Sequence, residues 1–161
     1  MQHFTRRETV ILTRTSSTRL AYLARTGVIV PVASEEQKAE PAYYTWEQIL
    51  ELRAIRRLRQ QLSLQMIRKI MAFLEGNGCG ALHDKHLVIK NDEVHWVQSQ
   101  ENMAPCVVQV AAKTGCHVGQ LNLMTLPSLM NLADEIWETA RNSNVIDLAS
   151  FRQRVIPFRP R

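Results

Sequence analysis

The sequence predicts an α+β protein: a helix-turn-helix at the N terminus, then a small antiparallel sheet with one helix, and no long coiled coil. Two observations predict this arrangement. Helix-capping sequences recur between Thr5 and Ser63, and apolar residues at helical spacing follow them. After a glycine-rich break at 76–80, short segments rich in β-branched residues are typical of strands.

Residues 4–31 contain the first two helices. Thr5 and Glu8 have the spacing of a capping box, in which each side chain accepts the backbone N–H of the other residue. A helix therefore begins there and extends to about Leu12. Ser16 caps a second helix, from Ser17 to about Arg25, and Gly27 can adopt the positive φ that ends it.

The second helix has two distinct faces. Leu20 and Leu23 face inward, whereas Thr18, Arg19 and Tyr22 share another face at spacings of three and four. A helix that presents hydroxyls, an arginine and a tyrosine, and is supported by a shorter helix, has the groups needed to read a DNA groove. The alternative is a helix-turn-helix that contacts protein.

Two further helices follow. Thr45 and Gln48 form a second capping box that opens a helix to about Gln60, and Ser63 caps the next helix, which extends to about Glu75. We expect Trp46 to be a core residue. On the first of these two helices, apolar residues line one side. Four arginines lie on or beside the opposite side, where they either form a solvated face or contact phosphates: Arg53, Arg56, Arg57 and Arg59.

The second half of the chain is predicted to be strand-rich. Residues 87–90 and 93–97 suggest a hairpin, 107–111 and 120–124 suggest further strands, and 128 to about 142 suggest a helix. Because a small sheet with one helix leaves exposed edges, we expect residues 81–142 to form a homodimer through the sheet and helix. Residues 144–161 are a basic tail that is either disordered, above all in its last six residues, or reaches a neighbouring subunit or DNA.

The net charge of +5 is unevenly distributed. Lys/Arg against Asp/Glu number twelve against seven in residues 1–75 (+5), four against seven in 76–144 (−3) and four against one in 145–161 (+3). This pattern suits a DNA-binding module joined to an assembly module, although a solvated basic surface gives the same count. No apolar run approaches the roughly 20 residues that span a bilayer. The N terminus lacks the apolar core of a signal peptide, so we expect a cytoplasmic protein.

The first segment resembles the N-terminal winged helix-turn-helix of the MerR family of transcriptional regulators. The positions that match the family pattern are Phe4, Thr5, Glu8, Ser16, Leu20, Tyr22, Gly27, Val28, Ile29 and Pro31. Tyr44-Thr45 is similar to the end of the family's wing, and residues 62–68 are similar to the start of its next helix. The resemblance covers roughly residues 3–74 and implies a DNA-binding domain at 1–76 with double-stranded DNA as its partner.

The sequence also departs from the family pattern. Where the family has an arginine, a tyrosine, an arginine and a glycine, this chain has Ala21, Leu23, Ala42 and Arg14. The glycines at 76–80 end the chain's fourth helix where the family's long dimerisation helix would follow. The resemblance, with the arginines and the lysine that could replace lost contacts, implies these DNA-binding residues: Arg14, Ser16, Ser17, Thr18, Arg19, Tyr22, Lys38 and Tyr44.

In length and layout the chain is similar to the small MerR-type repressors associated with cyanobacterial type V-K CRISPR transposons. This similarity implies that the targets are promoters of CRISPR effector and guide-RNA genes. Because the second half of the chain is small and shows no ligand constellation, we expect an effector-independent repressor instead of a ligand-gated activator, which as a dimer binds a palindromic site. Two alternatives remain open: an excisionase-like accessory protein that bends DNA, and an antitoxin-like module that binds a protein partner.

Catalysis and metal binding are not expected. The sequence shows no readable nucleophile–base pairing and no phosphate-binding glycine loop. The three cysteines lack CxxC spacing, and Cys106 lies in an apolar run, as a small core residue would. The cysteines and histidines that could gather around a metal ion have no recognised ligand spacing: Cys79, His83, His86, Cys116 and His117. We therefore expect no cofactor, no metal and no small-molecule effector.

Overall fold

The computed structural model describes residues 3–32, 42–90, 93–98, 106–112, 124–125 and 129–155. These residues form helices and two small antiparallel sheets, which confirms the mixed helix-and-sheet class. The chain divides into two compact units, one made of residues 1–56 and 130–161 and the other of residues 57–129. The first unit is therefore discontinuous in sequence.

The N-terminal helices begin where the capping sequences predict. Helix α1 spans Arg6–Thr13, α2 spans Ser17–Arg25 and α3 spans Trp46–Leu58. The capping box of α1 is complete, since the Thr5 N–H donates to Glu8 Oε2 (2.8 Å) and the Glu8 N–H donates to Thr5 Oγ1 (3.3 Å). Thr45 and Gln48 make the equivalent pair of hydrogen bonds before α3.

A two-stranded antiparallel sheet accompanies these helices. Strand β1 (Phe4–Thr5) pairs with β2 (Tyr43–Tyr44). Val32 also pairs with Tyr43, and the Val32 N–H donates to the Tyr43 carbonyl at 2.8 Å. This pairing brings together the two ends of the segment at 33–41. That segment, where the sequence predicts the wing with Lys38, lies outside the described residues.

Two C-terminal helices belong to the first unit: α5 (Leu129–Arg141) and α6 (Leu148–Val155). On α5 the predicted apolar face of Leu132, Ile136 and Ala140 is fully buried within the single chain. Residues of the same chain cover these three side chains, and the homodimer expected of residues 81–142 stays a prediction. Helix α6 lies in the segment that the sequence presented as a basic tail, and residues 156–161 lie outside the described residues.

The core of the first unit includes an aromatic cluster, defined here as Phe4, Trp46, Trp137 and Phe151. The Phe151 ring lies 6.0 Å from Phe4, 6.1 Å from Trp46 and 4.8 Å from Trp137, measured between centroids, and it meets both tryptophans edge to face. Trp46 is 2% exposed, so its predicted core position is confirmed. Each such ring contributes both apolar burial and ring–ring attraction.

The second unit combines helix α4 with a four-stranded sheet. Helix α4 spans Leu64–Gly76 and begins at the predicted Ser63 cap, and a short 3₁₀ helix spans Leu82–Asp84. The sheet has the order β5-β4-β3-β6 and is antiparallel throughout. Its strands are β3 (Leu87–Lys90), β4 (Glu93–Gln98), β5 (Cys106–Ala112) and β6 (Met124–Thr125).

The predicted hairpin and third strand are confirmed. Ile89 lies opposite Val94 in the β3–β4 pair, and both side chains are buried together with Leu87. Helix α4 contacts β5. Of the predicted fourth strand, residues 120–123 lie outside the described part, and the short β6 pairs with β3.

Cys106 is exposed on β5, so its expected core position is wrong. Among the residues that the structure describes, no helix combines the length and apolar character that crossing a membrane requires.

Candidate nucleic-acid interface

Helix α2 has one buried and one exposed face. Leu20 and Leu23 are 1% and 2% exposed and pack into the core. Four predicted DNA-binding residues of this helix lie exposed: Ser17, Thr18, Arg19 and Tyr22. The structure thus brings these four side chains together at the surface of one short helix.

The start of α2 is fixed by two contacts. Ser16 Oγ accepts the Arg19 N–H at 3.3 Å, so the predicted cap is confirmed. Arg6, on the first turn of α1, donates from Nη2 to the Ser17 carbonyl at 2.9 Å. The first turn of α1 and the first turn of α2 are therefore tied directly to each other. A capped helix start also directs backbone N–H groups and a partial positive charge toward an approaching anion.

Arg14 occupies the turn between α1 and α2 in a left-handed conformation, with φ 51° and ψ 36°. Its backbone N–H donates to the Ile11 carbonyl at 3.1 Å, which closes α1. A residue with a Cβ is strained there by roughly 1 kcal/mol relative to glycine. The exposed Arg14 side chain extends the positive surface beside the start of α2.

The charge of this segment is strongly one-sided. Residues 4–27 contain five arginines and one glutamate. That glutamate, Glu8, is ion-paired with Arg154 at 2.6 Å. Within residues 4–27, three exposed arginines were not among the predicted DNA-binding residues: Arg6, Arg7 and Arg25. The excess of arginine in this segment is the feature of the sequence that indicates them as candidate phosphate contacts.

Arg25 is positioned by an aromatic ring. Its guanidinium carbon lies 5.7 Å from the ring centroid of Tyr22, one helical turn earlier, in a cation–π contact. Tyr22 remains 39% exposed. The pair therefore presents a ring and a positive charge on the same side of α2.

Tyr44 does not lie on this surface. Its side chain is 3% exposed, although the resemblance implied a DNA contact. Burial raises the pKa of its phenol, and the positive charge of Arg6 opposes that shift only in part. The structure places the Tyr44 ring in the core, and the DNA contact that the resemblance implied for it stays a prediction.

Arg53 also differs from its expected place on a solvated or phosphate-binding face. It is 5% exposed, and its Nε and Nη2 donate to Glu135 Oε2 on α5 at 3.1 and 2.9 Å. Burial lowers the pKa of its guanidinium, and the Glu135 carboxylate offsets part of that shift. Arg53 is thus a structural ion-pair partner, whereas Arg56, three residues on, is exposed.

The cysteines and histidines of the chain are potential metal ligands. Within the described ranges, no three His, Cys, Asp or Glu side chains form a group that could hold a metal ion. Cys116 and His117 lie outside those ranges.

Comparison with known families agrees with the geometry of α1 and α2. Residues 4–74 match the family described as MerR HTH family regulatory protein. The chain carries a MerR-type helix-turn-helix domain. Such a domain implies DNA binding and suggests a transcriptional regulator. No curated protein matches the chain.

The MerR-type match covers less than half of the 161 residues. It includes α1 to α3 and most of α4, and it ends before the sheet of the second unit. It also leaves out α5 and α6, although these helices complete the core of the unit that contains α2. The matched segment therefore contains the candidate interface but not all of the residues that support it.

Proposed function

We propose that this protein is a sequence-specific DNA-binding transcriptional repressor. It acts as a homodimer, needs no small-molecule effector and inserts α2 into the major groove at each half of a palindromic promoter site. The observation that supports this proposal is the exposed face of α2, with Ser17, Thr18, Arg19 and Tyr22, inside a domain that matches MerR-type regulators.

Arg19 is the residue that selects bases in this proposal. An arginine can donate two parallel hydrogen bonds to O6 and N7 of guanine, which distinguishes guanine from other bases in the major groove. Ser17 and Thr18, together with the backbone at the start of α2, contact the phosphate backbone. Such contacts fix the position of the helix and carry no sequence information.

The arginines around α2 supply affinity. Arg6, Arg7, Arg14 and Arg25 are exposed on α1, on the turn that follows it and on α2. Each phosphate that such a side chain neutralises releases counterions, so binding weakens as salt increases. The segment at 33–41, with Lys38, serves as the wing.

Dimerisation is assigned to the second unit. Strand β5 lies at the edge of the described sheet, and Val107 on it is 59% exposed. A strand edge with an exposed apolar residue can pair with a second copy. Two copies related by a twofold axis read a palindromic site.

The promoters are assigned from similarity in length and layout to the repressors of CRISPR-associated transposons. We expect the binding sites to lie upstream of CRISPR effector and guide-RNA genes. Binding to such promoter DNA, compared with unrelated promoter DNA of equal length and composition, tests that assignment separately.

A competition gel shift tests the central proposal. The probe is the intergenic DNA that flanks the protein's own gene, with unlabelled nonspecific DNA as competitor, across a salt series. We expect a complex that survives the competitor, is lost in Arg19→Ala, and persists in Arg141→Ala, an exposed arginine on α5 that is removed as a charge-matched control. A complex that any competitor abolishes equally, or that both variants weaken equally, would contradict sequence-specific recognition by α2.

A further inference from the structure

Helix α6 holds the first turn of α1 through Arg154. Its Nη2 donates to Glu8 Oε1 at 2.6 Å and its Nη1 donates to Glu8 Oε2 at 3.2 Å. Nη1 also donates to the His3 carbonyl at 3.0 Å. The guanidinium lies 4.5 Å from the ring centroid of Phe4, so four contacts locate one side chain.

Glu8 passes this restraint to the start of α1. The oxygen Oε2 that accepts from Arg154 also accepts from the Thr5 N–H and from Thr5 Oγ1, at 2.8 and 2.9 Å. Burial alone would raise the pKa of Glu8, but the hydrogen bonds from Arg154 and Thr5 outweigh it and hold the pKa below its ordinary value. The carboxylate therefore stays charged and joins α6 to the capping box.

The first turn of α1 is in turn joined to α2. Arg6 donates to the Ser17 carbonyl at 2.9 Å, and Ser17 is the first residue of α2. The contacts Arg154–Glu8, Glu8–Thr5 and Arg6–Ser17 thus form a continuous set of polar contacts from α6 to the start of the recognition helix. Phe151 lies on the same helix as Arg154 and is fully buried in the aromatic cluster, so it also holds α6 in place.

We propose that Arg154 is a positioning residue for DNA binding: it acts through Glu8 and α1 to hold the start of α2, and it does not touch DNA. The inference rests on the proposed function. It gives a role in DNA binding to α6, which lies in the same unit as α2 although the family match ends at residue 74. Residues about 150 positions apart in sequence then act on one DNA-binding surface.

The test compares three variants on one DNA. A duplex is first selected from a random pool by the wild-type protein, and its affinity is measured from about 50 to 200 mM salt, a range over which phosphate contacts are well resolved. The variants are Arg154→Ala, Arg154→Lys and Arg152→Ala. Arg152 is exposed on the same helix, so its removal matches the loss of charge without breaking the Glu8 contact.

We expect Arg154→Ala to lower the affinity about tenfold, Arg154→Lys to recover part of it, and Arg152→Ala to stay close to wild type, since charge-assisted hydrogen bonds are the stronger class. The slope of log affinity against log salt should not change in Arg154→Ala. A slope that falls by about 0.9 would show a direct phosphate contact and overturn the positioning role. Equal affinities of Arg154→Ala and wild type would overturn it as well.

Hydrogen exchange of the free protein separates this inference from the proposed function. We expect Arg154→Ala to exchange faster than wild type and Arg152→Ala at the backbone amides of residues 6–23. Strands β3 and β4 should exchange at unchanged rates, which excludes general unfolding. If exchange in residues 6–23 is unchanged, the inference fails even if the protein binds DNA. If the wild type selects no DNA but this exchange accelerates, the proposed function fails while the structural relay stands.

Discussion

Single residues in this protein carry several contacts at once, and Glu8 is the clearest case. Its carboxylate completes the capping box of α1 and also accepts hydrogen bonds from the guanidinium of Arg154. The capping box was readable from the sequence because its two residues are three positions apart. The partner on α6 was not, because Arg154 lies 146 positions away and only tertiary packing brings it near.

The lowered pKa of Glu8 predicts a pH dependence of stability. A carboxyl whose folded pKa lies below its ordinary 4.5 stabilises the fold above that value, and the stabilisation is lost as pH falls through the folded pKa. Glu8→Gln should lower the free energy of unfolding at pH 7 by about 1–3 kcal/mol. Below the folded pKa the difference should vanish. Urea denaturation of both proteins from pH 7 to pH 3 measures it, and a constant difference across that range would contradict the account.

Arg14 predicts opposite effects on stability and binding. Arg14→Gly removes the strain of a left-handed residue and should raise the free energy of unfolding by about 0.5–1 kcal/mol. It should also reduce the salt slope of DNA binding by about 0.9 if Arg14 contacts one phosphate. Arg14→Ala is the matched control, because it loses the charge and keeps the strain. Equal stability of the two variants would argue against strain at this turn.

At the scale of elements, the short helix α6 depends on packing. Eight residues are too few to form a stable helix alone, and α6 is held by Phe151 and Arg154. From sequence this segment is predicted to be a basic tail, because it carries several arginines and its two prolines prevent a continuing helix. By contrast, α1 to α4 were predicted because their capping side chains act within three residues.

Phe151 predicts a large loss of stability. Phe151→Ala empties the centre of the aromatic cluster and should lower the free energy of unfolding by about 3–5 kcal/mol. Val145→Ala, at a 45% exposed position before the same helix, should change it by less than about 0.5 kcal/mol. Denaturant titration measures both changes. Similar small changes in the two variants would mean that α6 does not complete this core.

At the scale of the whole molecule, the chain order does not match the order of the compact units. Residues 57–129 interrupt the unit that contains α2, and residues 130–155 return to it. The sequence indicated the strands of the second unit through their β-branched residues. It could not show that α5 belongs with α1 to α3, because buried Arg53 pairs with Glu135, 82 positions away.

The proposed homodimer can be tested by the mass of the protein in solution. A homodimer should have twice the 18.5 kDa mass of the chain in sedimentation equilibrium. Val107→Lys should shift it toward monomer, because a lysine on a strand edge opposes pairing with a second strand. Val145→Lys, an exposed position of the first unit, is the control. A dimer that both variants leave intact would remove β5 from the interface.

Guanine methylation interference on the selected duplex tests the central claim most directly. Methylation at N7 blocks the atom that Arg19 is proposed to bind in the major groove. We predict that methylation of guanines at twofold-related positions prevents binding of the wild type, and that Arg19→Ala, at concentrations that restore binding, no longer responds at those positions. Insensitivity of the wild type to N7 methylation, or an identical pattern in Arg19→Ala, would contradict recognition of DNA by this face of α2.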